Sequence, residues 1–78
     1  MKKIKLIWDF RGYGAEQTAI HHTKHLNEYL QNKNYILKNT GYETLSDMYA
    51  LAFIVVFQED LIAFRDALKP HRAEYHTD

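Results

Sequence analysis

The chain has 78 residues and no cysteine, and its 10 lysines and arginines balance 10 aspartates and glutamates, so its formal net charge is zero. This length allows a single domain, residues 1–78, and the lack of thiols excludes disulfides, thiolate metal sites and cysteine nucleophiles. Nucleic-acid binding usually begins with a basic surplus, so the charge balance argues against a nucleic-acid partner.

The first part of the chain predicts a strand followed by a helix. Residues 3–10 alternate between apolar and mixed side chains, which is the period of a strand. Two closely spaced glycines then predict a turn, and residues 15–33 have the period of a helix without proline or glycine. Asp9 and Arg11 interrupt the first apolar run too early for a signal peptide. We therefore expect a cytoplasmic protein without a membrane partner.

The middle of the chain predicts an antiparallel hairpin. Residues 35–45 are interpreted as a strand in which Gly41 permits a bulge or a close backbone approach. A turn at residues 46–47 leads into residues 48–57, ten residues without a charge whose two strand faces are both apolar. Such a strand needs cover on both sides. We expect the protein's own helices on one face and a second copy of the chain on the other.

The last part of the chain predicts a second helix followed by a short polar segment. Acidic residues from Gln58 onward suit the first turn of a helix, and Pro70 ends it. Residues 71–78 are interpreted as a polar tail or a short edge strand.

This element order predicts an α+β fold, an antiparallel sheet with two helices on one face. The order resembles the ferredoxin-like βαββα(β) plan. In element order, without a shared motif, the chain is similar to small proteins of the dimeric α/β-barrel type, such as antibiotic-type monooxygenases, YciI-like proteins and stress-responsive barrel proteins. The resemblance implies a homodimer whose open sheet faces meet. It assigns no catalytic residue, and we expect no cofactor.

Six side chains are candidate ligand contacts. Asp9 and Arg11 are placed on the sheet face opposite the helices, where an acid and a guanidinium would form the polar end of an apolar pocket. A salt bridge at the strand end, or a place in the dimer interface, is the alternative. Arg72 offers a planar fork for an anion and its neighbour a donor, although both also suit the end of a helix. The full set is Asp9, Arg11, His22, Tyr49, His71 and Arg72.

Two histidines are weak candidates for a metal site. His21 and His25 are four residues apart, so on a helix they lie on one face at roughly 5–6 Å between Cβ atoms. Two imidazoles at that spacing can share a zinc ion. The glutamate that follows the first histidine of a zinc-protease helix is missing, so we expect no metal.

The sequence therefore predicts a small cytoplasmic homodimer that binds a small molecule or a partner through the face of its sheet. One alternative is a cofactor-free dimeric α/β-barrel enzyme, and another is a protein-interaction adaptor. Whether the chain is an enzyme stays open. An enclosed cavity that contains a charged residue would favour the first two functions, and a filled interior with an exposed apolar patch would favour the adaptor.

Overall fold

The computed structural model describes residues 2–76, which form one antiparallel sheet, two α-helices and one 3₁₀ turn. The strands lie in the order β2-β3-β1-β4, and the predicted α+β class is confirmed. The elements are β1 (Lys3–Arg11), α1 (Ala15–Lys33), β2 (Thr40–Ser46), β3 (Tyr49–Phe57), a 3₁₀ turn (Gln58–Asp60), α2 (Leu61–Leu68) and β4 (Arg72–His76). No helix within this part of the chain is long and apolar enough to cross a membrane.

The main core lies between the sheet and the two helices. Alternate residues of β1 and β3 point to this side, as the strand period dictates, and both helices pack against them. Trp8 is buried there and donates its ring N–H to the carbonyl oxygen of Leu68 at 3.1 Å. The other buried members are Ile4, Leu6, Leu26, Leu30, Ala52, Ile54, Val56 and Phe64.

The opposite side of the sheet, called the open face below, is covered by the chain's own long side chains. Ile7 and Val55 are each only 1% exposed although no helix lies above them. Ile7 is paired with Phe53 and Arg72 on the neighbouring strands, and Lys5 is paired with Val55. The Lys5 ammonium lies 4.4 Å from the centre of the Phe53 ring. One chain thus buries the helix side of β3 and part of its open face, which weakens the reason for expecting a second copy; the dimer stays a prediction.

The segment before β2 differs from the prediction, because residues 35–39 form a loop rather than a strand. Asn34 ends α1 in the left-handed conformation, with φ of 54°, and the Tyr35 N–H donates to the Leu30 carbonyl at 3.0 Å. The Tyr35 hydroxyl then donates to Asp60 at 2.6 Å and accepts from the Phe57 N–H at 3.0 Å. These bonds hold the segment against the end of β3, so it does not extend the sheet.

Gly41 allows a close approach of the backbone to a neighbouring side chain, which is one of the two predictions made for it. A Cβ atom there would lie 3.1 Å from the Phe53 ring, which is tighter than ordinary packing allows. The register irregularity of the hairpin lies elsewhere, between Thr44 and Ser46.

The second helix and the C-terminal segment follow the prediction with one shift of boundary. Residues 58–60 form the 3₁₀ turn, and α2 begins only at Leu61. After Pro70 the chain returns as β4, which pairs antiparallel with residues 3–7 of β1 as a short edge strand.

Candidate functional site

The fold brings five of the six predicted ligand contacts together at one end of the open face. Asp9 and Arg11 lie at the end of β1, and the antiparallel register places Tyr49 of β3 opposite Arg11. His71 and Arg72 reach the same place where the chain enters β4. We call Asp9, Arg11, Tyr49, His71 and Arg72 the Asp9 cluster.

The carboxylate of Asp9 is fully engaged. Its oxygens accept hydrogen bonds from the Tyr49 hydroxyl at 2.5 Å and from the Arg72 guanidinium at 2.8 and 3.2 Å. The bonds from Arg72 outweigh the effect of burial and, with the Tyr49 bond, lower the pKa of Asp9 from 3.8 to about 2. A carboxylate this acidic is a poor proton acceptor near neutral pH. Asp9 therefore acts as a fixed negative charge.

One of the two other predicted anion donors, Arg72, is engaged as well. Arg72 donates its remaining fork nitrogen to Glu74 at 2.6 Å, so its charge faces two carboxylates. The Nδ1 atom of His71 accepts a hydrogen bond from the Asp9 backbone N–H at 2.8 Å. The backbone N–H of His71 donates to the Ile7 carbonyl oxygen. The His71 side chain thus continues the pairing with β1 just before β4 begins at Arg72. The Arg72 fork is therefore occupied by carboxylates, whereas the Nε2 atom of His71, which carries the ring proton when Nδ1 accepts, has no partner among residues 2–76.

Arg11 is the cation of the cluster that has no carboxylate partner within residues 2–76. Its guanidinium stacks on the Tyr49 ring, 4.0 Å from the ring centre. With the ring N–H of His71, it is a part of the predicted site that remains available to a ligand.

His22 lies on the other side of the sheet, among the core side chains beneath α1. Its ring centre is 4.8 Å from that of Trp8 and 5.6 Å from that of Phe10. Its Nε2 atom is buried and has no hydrogen-bond partner within the described residues. Burial, and then the nearby charges of other histidines, lower the pKa of His22 below 6.5. The ring is therefore kept neutral, and it does not join the Asp9 cluster.

Sequence reasoning missed a groove of about 400 Å³ between α1 and β2. Four side chains spaced three or four residues apart form its wall on α1, and β2 supplies two more because its alternate residues face the helix side. The groove is open to solvent, and no acidic side chain lines it. Its lining is Ile20, Thr23, Lys24, Asn27, Lys38, Thr40 and Tyr42.

The threonine hydroxyls of the groove bond to backbone carbonyl oxygens, but its longer side chains are mostly without partners within the described residues. The Thr23 Oγ1 atom lies 2.8 Å from the Ala19 carbonyl oxygen and 3.0 Å from that of Gly41, which ties α1 to β2. Thr40 donates to the Phe53 carbonyl at 2.7 Å. The other donors behave differently: the Lys38 ammonium makes one long bond of 3.3 Å, and no described residue pairs with Lys24, Asn27 or Tyr42.

Metal ligands do not converge in groups of three. No cluster of three or more histidine, aspartate or glutamate side chains suitable for an ion occurs among residues 2–76. His21 and His25 do meet, with their Nε2 atoms 3.0 Å apart on the exposed side of α1.

Comparisons with known proteins assign no family. No family model matches the chain, and no curated protein or solved structure is significantly similar to it.

Proposed function

We propose that this protein binds a small molecule carrying an anionic group, such as a carboxylate or a phosphate, in the groove between α1 and β2. The observation that carries the proposal is a concave surface with two lysines and no lining acid, in a chain whose net charge is zero. Ligand sites commonly enclose about 300–1,000 Å³ and combine apolar walls with a few convergent polar groups. The groove volume of about 400 Å³ lies in that range.

The lining also limits the chemistry of the ligand. Lys24, Asn27, Lys38 and Tyr42 supply donors, whereas the two threonine hydroxyls are already committed to carbonyl oxygens. An anionic head group can accept from several of these donors at once. Ile20 is half-buried and Tyr42 is 45% exposed, so both offer apolar surface. A small ligand with an anionic head and a flat or apolar body fits this lining.

This proposal keeps the predicted function, small-molecule binding, but places the ligand in the groove between α1 and β2. Sequence reasoning placed the ligand on the open sheet face, where the donors of Arg72 and Tyr49 are now occupied by carboxylates. The low pKa of Asp9 also weakens the alternative of a cofactor-free enzyme that uses this acid for proton transfer.

A second candidate is the predicted homodimer through the open face. Three aromatic side chains of β3, Tyr49, Phe53 and Phe57, are only half-buried there, and Arg11 beside them has no acid partner in residues 2–76. Light scattering at micromolar concentration should then report twice the monomer mass, and Arg11→Glu should return the mass to that of one chain. A monomeric parent protein would exclude this candidate.

We also infer that the fold follows the ferredoxin-like plan predicted from element order. The strand order β2-β3-β1-β4, with α1 connecting β1 to β2 and α2 connecting β3 to β4, supports this arrangement. The cytoplasmic location stays a prediction.

The anion-binding proposal is tested by NMR titration with two probes, inorganic phosphate and benzoate. We expect saturable shifts of the backbone amides of residues 20–27 and 38–42 with at least one probe. The double variant Lys24→Gln/Lys38→Gln should lose these shifts. Lys2→Gln/Lys3→Gln also removes two positive charges, but outside the groove, and this variant should keep the amide shifts. Shifts that are absent in the parent, or equal in both double variants, would contradict the proposal.

A further inference from the structure

His21 and His25 present a pair of nitrogen atoms on the solvent side of α1. Their Nε2 atoms are 3.0 Å apart, and their ring planes are nearly perpendicular, at 86°. Thr23, which lines the groove, points to the opposite side of the helix, because it is two residues from each histidine and two residues turn by about 200°. The pair is therefore a feature separate from the proposed anion site.

The separation of the two nitrogens matches that of adjacent ligands on one metal ion. Metal–imidazole bonds are about 2.0–2.1 Å long, so two such nitrogens at a right angle would lie about 2.9 Å apart, and about 3.3–3.4 Å apart at a tetrahedral angle. The observed 3.0 Å is closer to the right angle. Right angles are typical of tetragonal Cu²⁺ and Ni²⁺ sites with nitrogen and oxygen ligands.

Glu28 adds an observation of a different kind, because it faces the other nitrogen of the same ring. Its Oε1 atom lies 3.8 Å from Nδ1 of His25. A histidine that binds a metal through Nε2 usually directs its Nδ1–H toward a carboxylate, carbonyl or water, which fixes the tautomer and strengthens the ligand. Glu28 lies on the side of the ring that this role requires, at a separation longer than a hydrogen bond.

We propose that His21 and His25 together bind one divalent transition-metal ion through their Nε2 atoms, with copper preferred over nickel and zinc. The preference for copper follows from the general order of affinity of nitrogen ligands for these ions. Since no third histidine or carboxylate of residues 2–76 converges on the pair, water completes the coordination. His21 then carries its proton on Nδ1, so the ion takes the place of the single proton that the two Nε2 atoms otherwise share.

The test uses the untagged protein, titrated with Cu²⁺ and followed by calorimetry and electron paramagnetic resonance. The parent should bind one ion per chain, with a spectrum that shows two equivalent imidazole nitrogens. His21→Asn and His25→Asn should each lose that spectrum and most of the affinity. Glu28→Gln should retain the spectrum and bind roughly tenfold more weakly, as expected for a carboxylate that orients a ligand.

A matched control keeps the number of histidines constant. The double variant His25→Asn/Asn27→His moves one imidazole to the other side of α1, so it should bind copper no better than His25→Asn. Because all these positions are exposed, circular dichroism should show an unchanged fold. A parent without a stoichiometric site, or equal binding by the parent and the double variant, would overturn the proposal and leave a shared proton as the explanation of the 3.0 Å contact.

Discussion

The Asp9 cluster and the groove between α1 and β2 contain similar side chains but differ in how their polar groups are satisfied. Both combine cations with a tyrosine. In the cluster, Arg72 faces two carboxylates and Tyr49 donates to Asp9. In the groove, Lys24 and Tyr42 have no partner within the described residues, and no acid is present.

This difference separates a structural role from a binding role. The Asp9 carboxylate connects three strands, because it belongs to β1 and accepts from Tyr49 of β3 and Arg72 of β4. Such a tie is useful to β4, an edge strand of five residues. A group of charges that satisfy one another has few donors left for a ligand, whereas unpaired donors around a concavity retain theirs. Charged residues close together are thus a weaker sign of a site than charged residues without partners.

The largest effect should come from placing a charge beneath the open face. Val55→Asp would bury a carboxylate at a position that is 1% exposed, where the only cation opposite, Lys5, is already shared with Glu43, so we expect a cost of about 3–5 kcal/mol. A chain of this size has a total stability of only about 4–12 kcal/mol, so we expect a protein that is unfolded or close to it. Tyr42→Asp in the groove should change the free energy of unfolding by less than about 1 kcal/mol.

Chemical denaturation followed by circular dichroism measures both variants. Equal stability of Val55→Asp and the parent would show that the open face is accessible to water at Val55. The contrast between the open face, which the chain's own side chains cover, and the solvent-accessible groove would then fail.

A smaller effect is expected from removing the negative charge of the Asp9 cluster. Asp9→Asn keeps the shape of the side chain but gives Arg72 and Tyr49 a neutral acceptor, which should cost about 1–2 kcal/mol at neutral pH. The folded pKa of Asp9, about 2, lies below its ordinary value of 3.8. Its contribution is therefore complete above pH 4 and is lost as the pH falls from about 4 to about 2.

Urea denaturation at several pH values measures this contribution. The stability of Asp9→Asn should fall less steeply between pH 4 and pH 2 than that of the parent. Asp47→Asn, a change of the same kind in the exposed hairpin turn, should leave both the stability and the slope nearly unchanged. An Asp9 variant as stable as the parent at pH 7 would show that the network contributes nothing to the fold.

Much of the fold was predictable because the relevant signals are local. The period of residues 15–33 and the alternation of β1 and β3 give the helix and the core faces directly. The loop at residues 35–39 was not predictable in this way. It is fixed by the hydrogen bonds of Tyr35 to Leu30, Phe57 and Asp60, and the last two of these residues are more than twenty positions away.

The candidate sites were less predictable from the sequence, because each depends to some degree on residues that are distant in the chain. Alternation alone placed Asp9 and Arg11 on the open face, but nothing local indicated that Arg72, 63 residues from Asp9, would occupy the carboxylate. The groove needed the register that sets Tyr42 opposite Ala52 on the helix side of β2. Its signal was present in the sequence as a polar stripe on one side of α1, but such stripes are usual on exposed helices.

The smallest expected effect concerns His22, which combines features of the two regions because it is half-buried and its buried Nε2 atom has no partner within the described residues. Its pKa lies below 6.5 in the folded protein, so the unfolded chain binds more protons as the pH falls through that value. Stability should therefore decrease from pH 7 to pH 5. His22→Leu should remove most of this slope, and His76→Gln, at the other end of the chain, should retain it. Urea midpoints at both pH values measure the difference, and an equal slope in the parent and in His22→Leu would place the titrating group elsewhere.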